Sequence, residues 1–366
     1  MDRNKIINKR VYFEIMRVIA CGLVIFNHLP GYMLYSTSSG VKQFFYMCLT
    51  MLTRINVPLF FMISGALLFQ KNEDFMLVLK KRIFRIVRLL VLFDTILIFI
   101  QKYLSLTSDV GFSMNIKDFL MGILKNSIPG SGAYWYMYSY LGVLFVLPFL
   151  QRIAKGLTKT EVVSLLVLHF VTSSFFPMIN IYFVQQNIDM SISICKDFTV
   201  PFALTKPFFY TLIGYYLEYN VECQKMRPLQ LYLLIISGIT GIVLSNVCTY
   251  IDAKINNGYS QNYVQLFDYV TAIVVFILIK FLFTVKMPNV NQHNLKKMIC
   301  FMGSMTLGIY MFDPCFKLLF YEKYNLWAEH MFPTLIVSVG WVLISMTLGT
   351  MCTCIIKKIP IIKSIL

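Results

Sequence analysis

A chain of 366 residues that is 58% hydrophobic and only 14% charged carries more apolar surface than a water-soluble fold can hide, so its solvent is a bilayer. A formal net charge of +16 would raise nucleic acid as a partner for a soluble protein. Here the basic residues gather in alternate short loops and form no stripe interleaved with aromatics, which argues against a nucleic-acid partner.

The chain opens with Arg3, Lys5, Lys9 and Arg10 ahead of an apolar stretch. That stretch contains Arg17 and lacks a small-residue cleavage site, so it reads as a retained first helix rather than a secretory signal. Apolar segments long enough to span follow near 11–30, 43–69, 83–103, 133–150, 161–178, 201–218, 229–250, 264–285, 299–320 and 331–356. The expectation is an all-α, polytopic integral membrane helix bundle of about ten transmembrane helices, organised as one domain over 1–366. The fifth segment is the weakest, because His169 and Thr172-Ser173-Ser174 interrupt it.

Loop charge gives the orientation. Lys71, Lys80, Lys81, Arg82, Arg152, Lys155, Lys159, Lys225, Arg227, Lys286, Lys296, Lys297, Lys357, Lys358 and Lys363 fall on the side of the N-terminal cluster. The opposite loops hold only Lys42, Lys117, Lys125, Lys196, Lys254 and Lys323. Positive charge is retained inside, so both termini are expected in the cytoplasm and the protein in a cell membrane as a multi-pass protein. Most of the nine cysteines lie in apolar runs and read as small buried hydrophobes. Cys352 and Cys354 have no second pair and no nearby histidine, so no metal is expected.

Ionisable residues inside spans are costly, and they are functional candidates for that reason. The first span holds Glu14, Arg17 and His28, the second Arg54, the third Asp94, the fifth His169 and the ninth Asp313. Arg17 and His28 are eleven residues apart, which places them on nearly one helix face about 16 Å apart along the axis. Glu14 lies three residues before Arg17 and can pair with it. The plainer alternative is a helix-end ion pair and an interfacial histidine beside Pro30.

The stretch Tyr12-Phe13-Glu14-Ile15-Met16-Arg17, followed by ten residues and His28, resembles the opening motif of the acyltransferase-3 family of membrane O-acyltransferases. Arg54-Ile55-Asn56-Val57-Pro58-Leu59-Phe60-Phe61-Met62-Ile63-Ser64-Gly65 resembles that family's second-helix segment. Arg82-Ile83-Phe84-Arg85 is similar to its arginine pair at the entrance to the third helix. Tyr134-Trp135-Tyr136 and Gly214-Tyr215-Tyr216-Leu217 are similar to its segments in the fourth and sixth. Ser304 to Pro314 resembles a late motif of tyrosine, two apolar residues, histidine and proline; Tyr310 matches, and Asp313 stands where the histidine is usual. The resemblance covers essentially the whole chain and is nearest to the surface-polysaccharide type without an appended extracellular domain.

The resemblance implies transfer of an acyl group, acetyl by default, from cytoplasmic acyl-CoA to a hydroxyl of a cell-surface glycan or lipid-linked sugar. It makes His28 the expected acid–base group, with Glu14, Arg17 and Asp313 beside it. Arg17, Arg82, Arg85 and Arg88 are the expected donor-binding cations. Arg54, Ser64, Tyr134, Trp135, Tyr138 and Tyr310 are the expected acceptor side. Each has a bland alternative: positive-inside anchoring for the arginines, close packing for Ser64-Gly65, an interfacial belt for the aromatics. Arg54 just before Pro58 also suggests a helix broken inside the membrane. Two rival functions stay open on sequence, a transporter or flippase and a structural subunit of an export machine.

Overall fold

The computed structural model describes residues 11–106, 114–193, 205–256, 258, 264–286, 293–359 and 365. Arg3 to Arg10, Lys196, the start of the 201–218 segment and Lys363 lie outside the described residues. Every regular element among those described is a helix.

Helix α1 (Val11–Asn27) ends where the chain meets Pro30. A proline has no N–H and forces its predecessor into extended backbone, and Leu29 sits at φ −117°, ψ 161°. A short 3₁₀ helix, Pro30–Ser36, then leaves at 64° to α1. The N–H groups of His28 and Leu29 close the last turn onto the carbonyls of Ile25 and Phe26 at 3.0 and 3.1 Å. His28 therefore occupies a bend rather than a helix interior.

Helices α2 (Gly40–Thr53) and α3 (Asn56–Leu68) form one span with a break at Arg54 and Ile55. Pro58 offers no N–H to the Arg54 carbonyl four residues back. The Val57 N–H turns to its neighbour's Asn56 Oδ1, and the Thr53 carbonyl it would have met accepts instead from Asn27 Nδ2 at 3.1 Å. The break is thereby hooked to the end of α1.

After one turn at Phe75–Val78 and a π-helical turn at Leu79–Ile83 comes α4 (Phe84–Leu106), then α5 (Ile116–Lys125). A 3₁₀ turn at Ser131–Tyr134 opens α6 (Trp135–Phe145), and α7 (Leu147–Gly156) follows at 69°. Next are α8 (Lys159–Phe170) and α9 (Phe176–Gln185), joined by a π-helical turn at Val171–Phe175, then α10 (Lys206–Asn220), α11 (Pro228–Ile255) and α12 (Asp268–Phe281). Helix α13 (His293–Phe316) runs through a π-helical turn at Lys317–Tyr321 into α14 (Glu322–Glu329), and α15 (Thr334–Ile356) closes the bundle.

By length and composition six helices can cross a membrane, or up to eight if each bent pair counts as one span, against the ten expected. The two segments missing from that count have identifiable reasons. They are α4, which carries Arg85, Arg88, Asp94 and Lys102, and α10, which has only 15 residues. The segment expected to be weakest is instead a continuous 27-residue helix, Lys159–Gln185. Its polar residues do not interrupt it because they point inward: His169 is buried and stacks on Phe209 at 4.0 Å between ring centroids, and Ser174 donates to the Leu266 carbonyl.

The centre of the bundle is α1, α3, α10 and α13. Helices α3 and α10 touch backbone to backbone, since a Cβ on Gly65 would stand 1.9 Å from the Thr211 carbonyl oxygen and one on Gly214 would stand 2.2 Å from that of Met62. Glycine at both positions is what permits the crossing. At the C-terminal end of α10 the buried Lys280 ammonium caps the carbonyls of Leu217, Glu218 and Val221 at 2.9, 2.6 and 2.9 Å, and Tyr12 donates to Glu218 Oε1 at 2.6 Å. These contacts lock α10 to α12 and α1, and they hold still the helix that carries Arg17 and His28.

Candidate active site

One face of α1 carries the residues selected by spacing. Glu14 is buried and accepts from Arg17 Nη1 at 2.8 Å. Gly303 of α13 passes so close that a Cβ there would stand 2.2 Å from Glu14 Oε2. The Arg17 side chain stays 27% exposed, so its carboxylate partner is sealed away while the guanidinium faces open space.

At the far end of the same face, His28 Nδ1 lies 2.7 Å from Asp313 Oδ2. The other carboxyl oxygen, Oδ1, accepts from Ser345 Oγ of α15 at 2.9 Å. When Nδ1 donates to Asp313, the neutral ring of that tautomer presents Nε2 as its acceptor. Asp313 is 1% exposed and His28 is 22% exposed. A buried carboxyl at the edge of one cavity thus holds an imidazole that borders two. Lys317 donates its ammonium to the His28 carbonyl, which pins the bend after α1 to the π-helical turn after α13.

Two cavities meet at this histidine. The first, about 450 Å³, runs from Arg17 and Arg85 past Arg54, Ser64 and Tyr310 to His28. Among the described residues no acidic side chain lines it. The second, about 670 Å³, begins at His28 and Asp313 and continues past Lys317 to Tyr321 and Glu322. His28, Ala133 and Trp135 border both.

Of the residues expected from sequence, Arg17, His28, Arg54, Ser64, Arg85, Trp135 and Tyr310 line the first cavity, and Asp313 is reached through His28. Ser64 Oγ donates to its own helix at Phe60, 2.8 Å, and Tyr310 donates to the Ala133 carbonyl. Trp135 remains 49% exposed.

Four expected residues lie elsewhere. The Arg82 fork is engaged by Glu73, with Nε and Nη2 each 2.7 Å from a carboxylate oxygen. Those bonds hold the Glu73 carboxyl below the usual carboxylate range, with the Lys71 and Lys81 charges adding to the effect and partial burial opposing it. Arg88 is exposed and bonds back to the Phe84 carbonyl at 3.2 Å. Tyr134 is fully buried and donates to the Met311 carbonyl at 2.8 Å. Tyr138 donates to the Ile123 carbonyl at 2.5 Å. Their places in the first cavity are taken by Tyr136 and Tyr140, stacked at 6.1 Å between centroids and 13° between planes. Asn27, Asn56 and Ser345 were not singled out by sequence reasoning. Only Ser345 left a trace there, as a small polar residue in an apolar helix.

A family model described as an acyltransferase domain matches residues 10–357. No curated protein and no solved structure matches the chain.

Proposed function

The chain belongs to the acyltransferase-3 family of membrane acyltransferases, and on that premise we propose that it moves an acyl group, acetyl first among candidates, from acyl-CoA to a hydroxyl of a cell-surface polysaccharide or lipid-linked sugar. The observation that carries this reading is the His28–Asp313 pair at the junction of two cavities of opposite character. Trp135 edges both, but one carries Arg17, Arg54 and Arg85 with no acidic side chain among the described residues, whereas the other carries Asp313 and Glu322 beside Lys317.

The first cavity suits the donor. Arg17 and Arg85 border it, and guanidinium groups match phosphate oxygens in pairs. Arg85 spends its Nε on the Ile365 carbonyl at 2.8 Å, a bond that aims the rest of the fork. The second cavity suits the acceptor, with the Trp135 face as a platform for a sugar ring.

His28 Nε2 takes the proton of the attacking hydroxyl as its oxygen bonds to the thioester carbon. Asp313 steadies the imidazolium that forms. Collapse breaks the carbon–sulfur bond, and the departing thiolate takes the proton back from His28, giving an ester and free CoA. No covalent enzyme intermediate is needed.

The test is mass spectrometry of cell-envelope glycans from cells with and without the gene, paired with release of CoA thiol from acetyl-CoA by the purified chain. An acyl mass that disappears with the gene, together with glycan-dependent thiol release, is expected. Identical glycans and no thiol release would remove the acyl-transfer reading.

A further inference from the structure

The mechanism above gives no task to Arg54, and its setting is unlike that of the other arginines in the cavity. Arg17 has Glu14, and Arg85 has the Ile365 carbonyl. Arg54 Nε is buried without a hydrogen-bond partner, and Arg54 forms no ion pair among the described residues. Its guanidinium carbon lies over the Tyr32 ring, 4.8 Å from the centroid. An aromatic face orients a cation while leaving its N–H groups unspent. Arg54 as a whole is half-buried and borders the cavity, so a guanidinium with no anion of its own is presented to whatever enters.

Its position is set by the break in the second span. Arg54 sits at the centre of the 29-residue span Gly40–Leu68. The bond from Asn27 to the Thr53 carbonyl, 3.1 Å, joins the residue before His28 to the residue before Arg54. Both side chains border the same cavity. Asn56 and Val57, the first residues of α3, border it too, so the positive end of that helix adds to the field.

Acyl transfer creates one negative charge that His28 cannot hold, the former carbonyl oxygen of the thioester. We propose that Arg54 is a further catalytic residue, which donates N–H to that oxygen and stabilises the oxyanion while His28 holds the hydroxyl proton; this rests on the acyl-transfer reading above. When the carbon–sulfur bond breaks, the charge leaves Arg54 for sulfur and is quenched by the His28 proton. Arg54 itself is left unchanged.

The experiment uses the full chain in lipid nanodiscs, with acetyl-CoA as donor and envelope glycan from cells lacking the gene as acceptor. Arg54→Gln is expected to lower kcat by about 10²–10³-fold, with the KM for acetyl-CoA and the Kd for CoA unchanged. Arg54→Lys should regain part of the rate. Weakened CoA binding with kcat retained would overturn the proposal by making Arg54 a phosphate ligand. A loss confined to succinyl-CoA would overturn it by making Arg54 a reader of the acyl carboxylate. Should the Arg54 variants not fold, the carbonyl stretch of acetyl-CoA bound to His28→Gln decides: a shift to lower frequency is expected, and an unshifted band refutes the proposal. Wild-type protein that releases no CoA sinks the acyl-transfer reading and this one together, whereas an active wild type matched by Arg54→Gln sinks this one alone.

Discussion

At the residue scale, the His28–Asp313–Ser345 chain makes different demands on each member. His28→Gln keeps polarity but cannot take a proton, so transfer should fall by about 10²–10⁴-fold while CoA binding is retained; acylation near the wild-type rate would remove His28 from the reaction. Asp313→Asn can present an N–H to Nδ1, which turns the ring over to the wrong tautomer, so a loss of comparable size is expected in the same assay. Ser345→Ala leaves the carboxylate on His28 and strips one bond from Oδ1. It should cost about 1–3 kcal/mol of stability and far less rate. This constellation was only partly legible. The spacing of Arg17 and His28 put them on one face, as observed. Asp313 was visible as an ionisable residue inside the ninth span and as a departure from the family's usual histidine, but its partnership across 285 residues leaves no local trace. Ser345 was hidden for a further reason: in a lipid-facing helix both faces are apolar, so no periodicity marks the side that turns inward.

At the element scale, the aromatic run that opens α6 shows where sequence reading stops. Tyr134 and Tyr138 are four apart, as are Tyr136 and Tyr140, so either pair can share a helix face. The 3₁₀ turn at Ser131–Tyr134 sets the phase and gives the cavity to the second pair. The arginines at the start of α4 divide in the same way, with only Arg85 reaching the cavity. The Arg82–Glu73 fork is therefore expected to be structural. Glu73 has a depressed pKa in the folded protein, so its contribution is present above the ordinary carboxylate range and lost as pH falls through the depressed value. Glu73→Gln should lower the Tm at neutral pH, and the gap to wild type should close in strong acid. The crossing of α3 and α10 is stricter. Gly65→Ala places a Cβ against backbone at 1.9 Å, which no side-chain rotation relieves. The expected outcome is overpacking of at least about 1–3 kcal/mol, read as a lower Tm in detergent. An unchanged Tm would mean that the helices can slide apart.

For the whole molecule, the apolar runs and alternating loop charge made the polytopic helical architecture legible, while counting the spans required the breaks. Bends at Pro30, at Arg54 and between α6 and α7 turn simple hydrophobic stretches into jointed ones, and the first two place His28 and Arg54 on the cavity. Orientation is tested by single cysteines added to a cysteine-depleted chain. Positions in 107–131 and 180–196 are expected to react with an impermeant reagent from outside, and positions in 71–81 and 286–297 only after permeabilisation. Labelling of both classes from outside would sink this orientation and, with it, the assignment of a cytoplasmic donor side. The wall between the two cavities, made where His28, Ala133 and Trp135 border both, has an electrical consequence. With donor and acceptor cavities opening to opposite sides, as the proposed function requires, part of a membrane voltage falls across this septum, where one elementary charge is worth up to about 2.3 kcal/mol per 100 mV. Proton movement on the imidazole would then be biased by the field, and thinning the septum would open a leak. Trp135→Gly in sealed vesicles should dissipate an imposed potential faster than wild type, an outcome that would make the tryptophan an insulator between the cavities; an unchanged decay would remove that role.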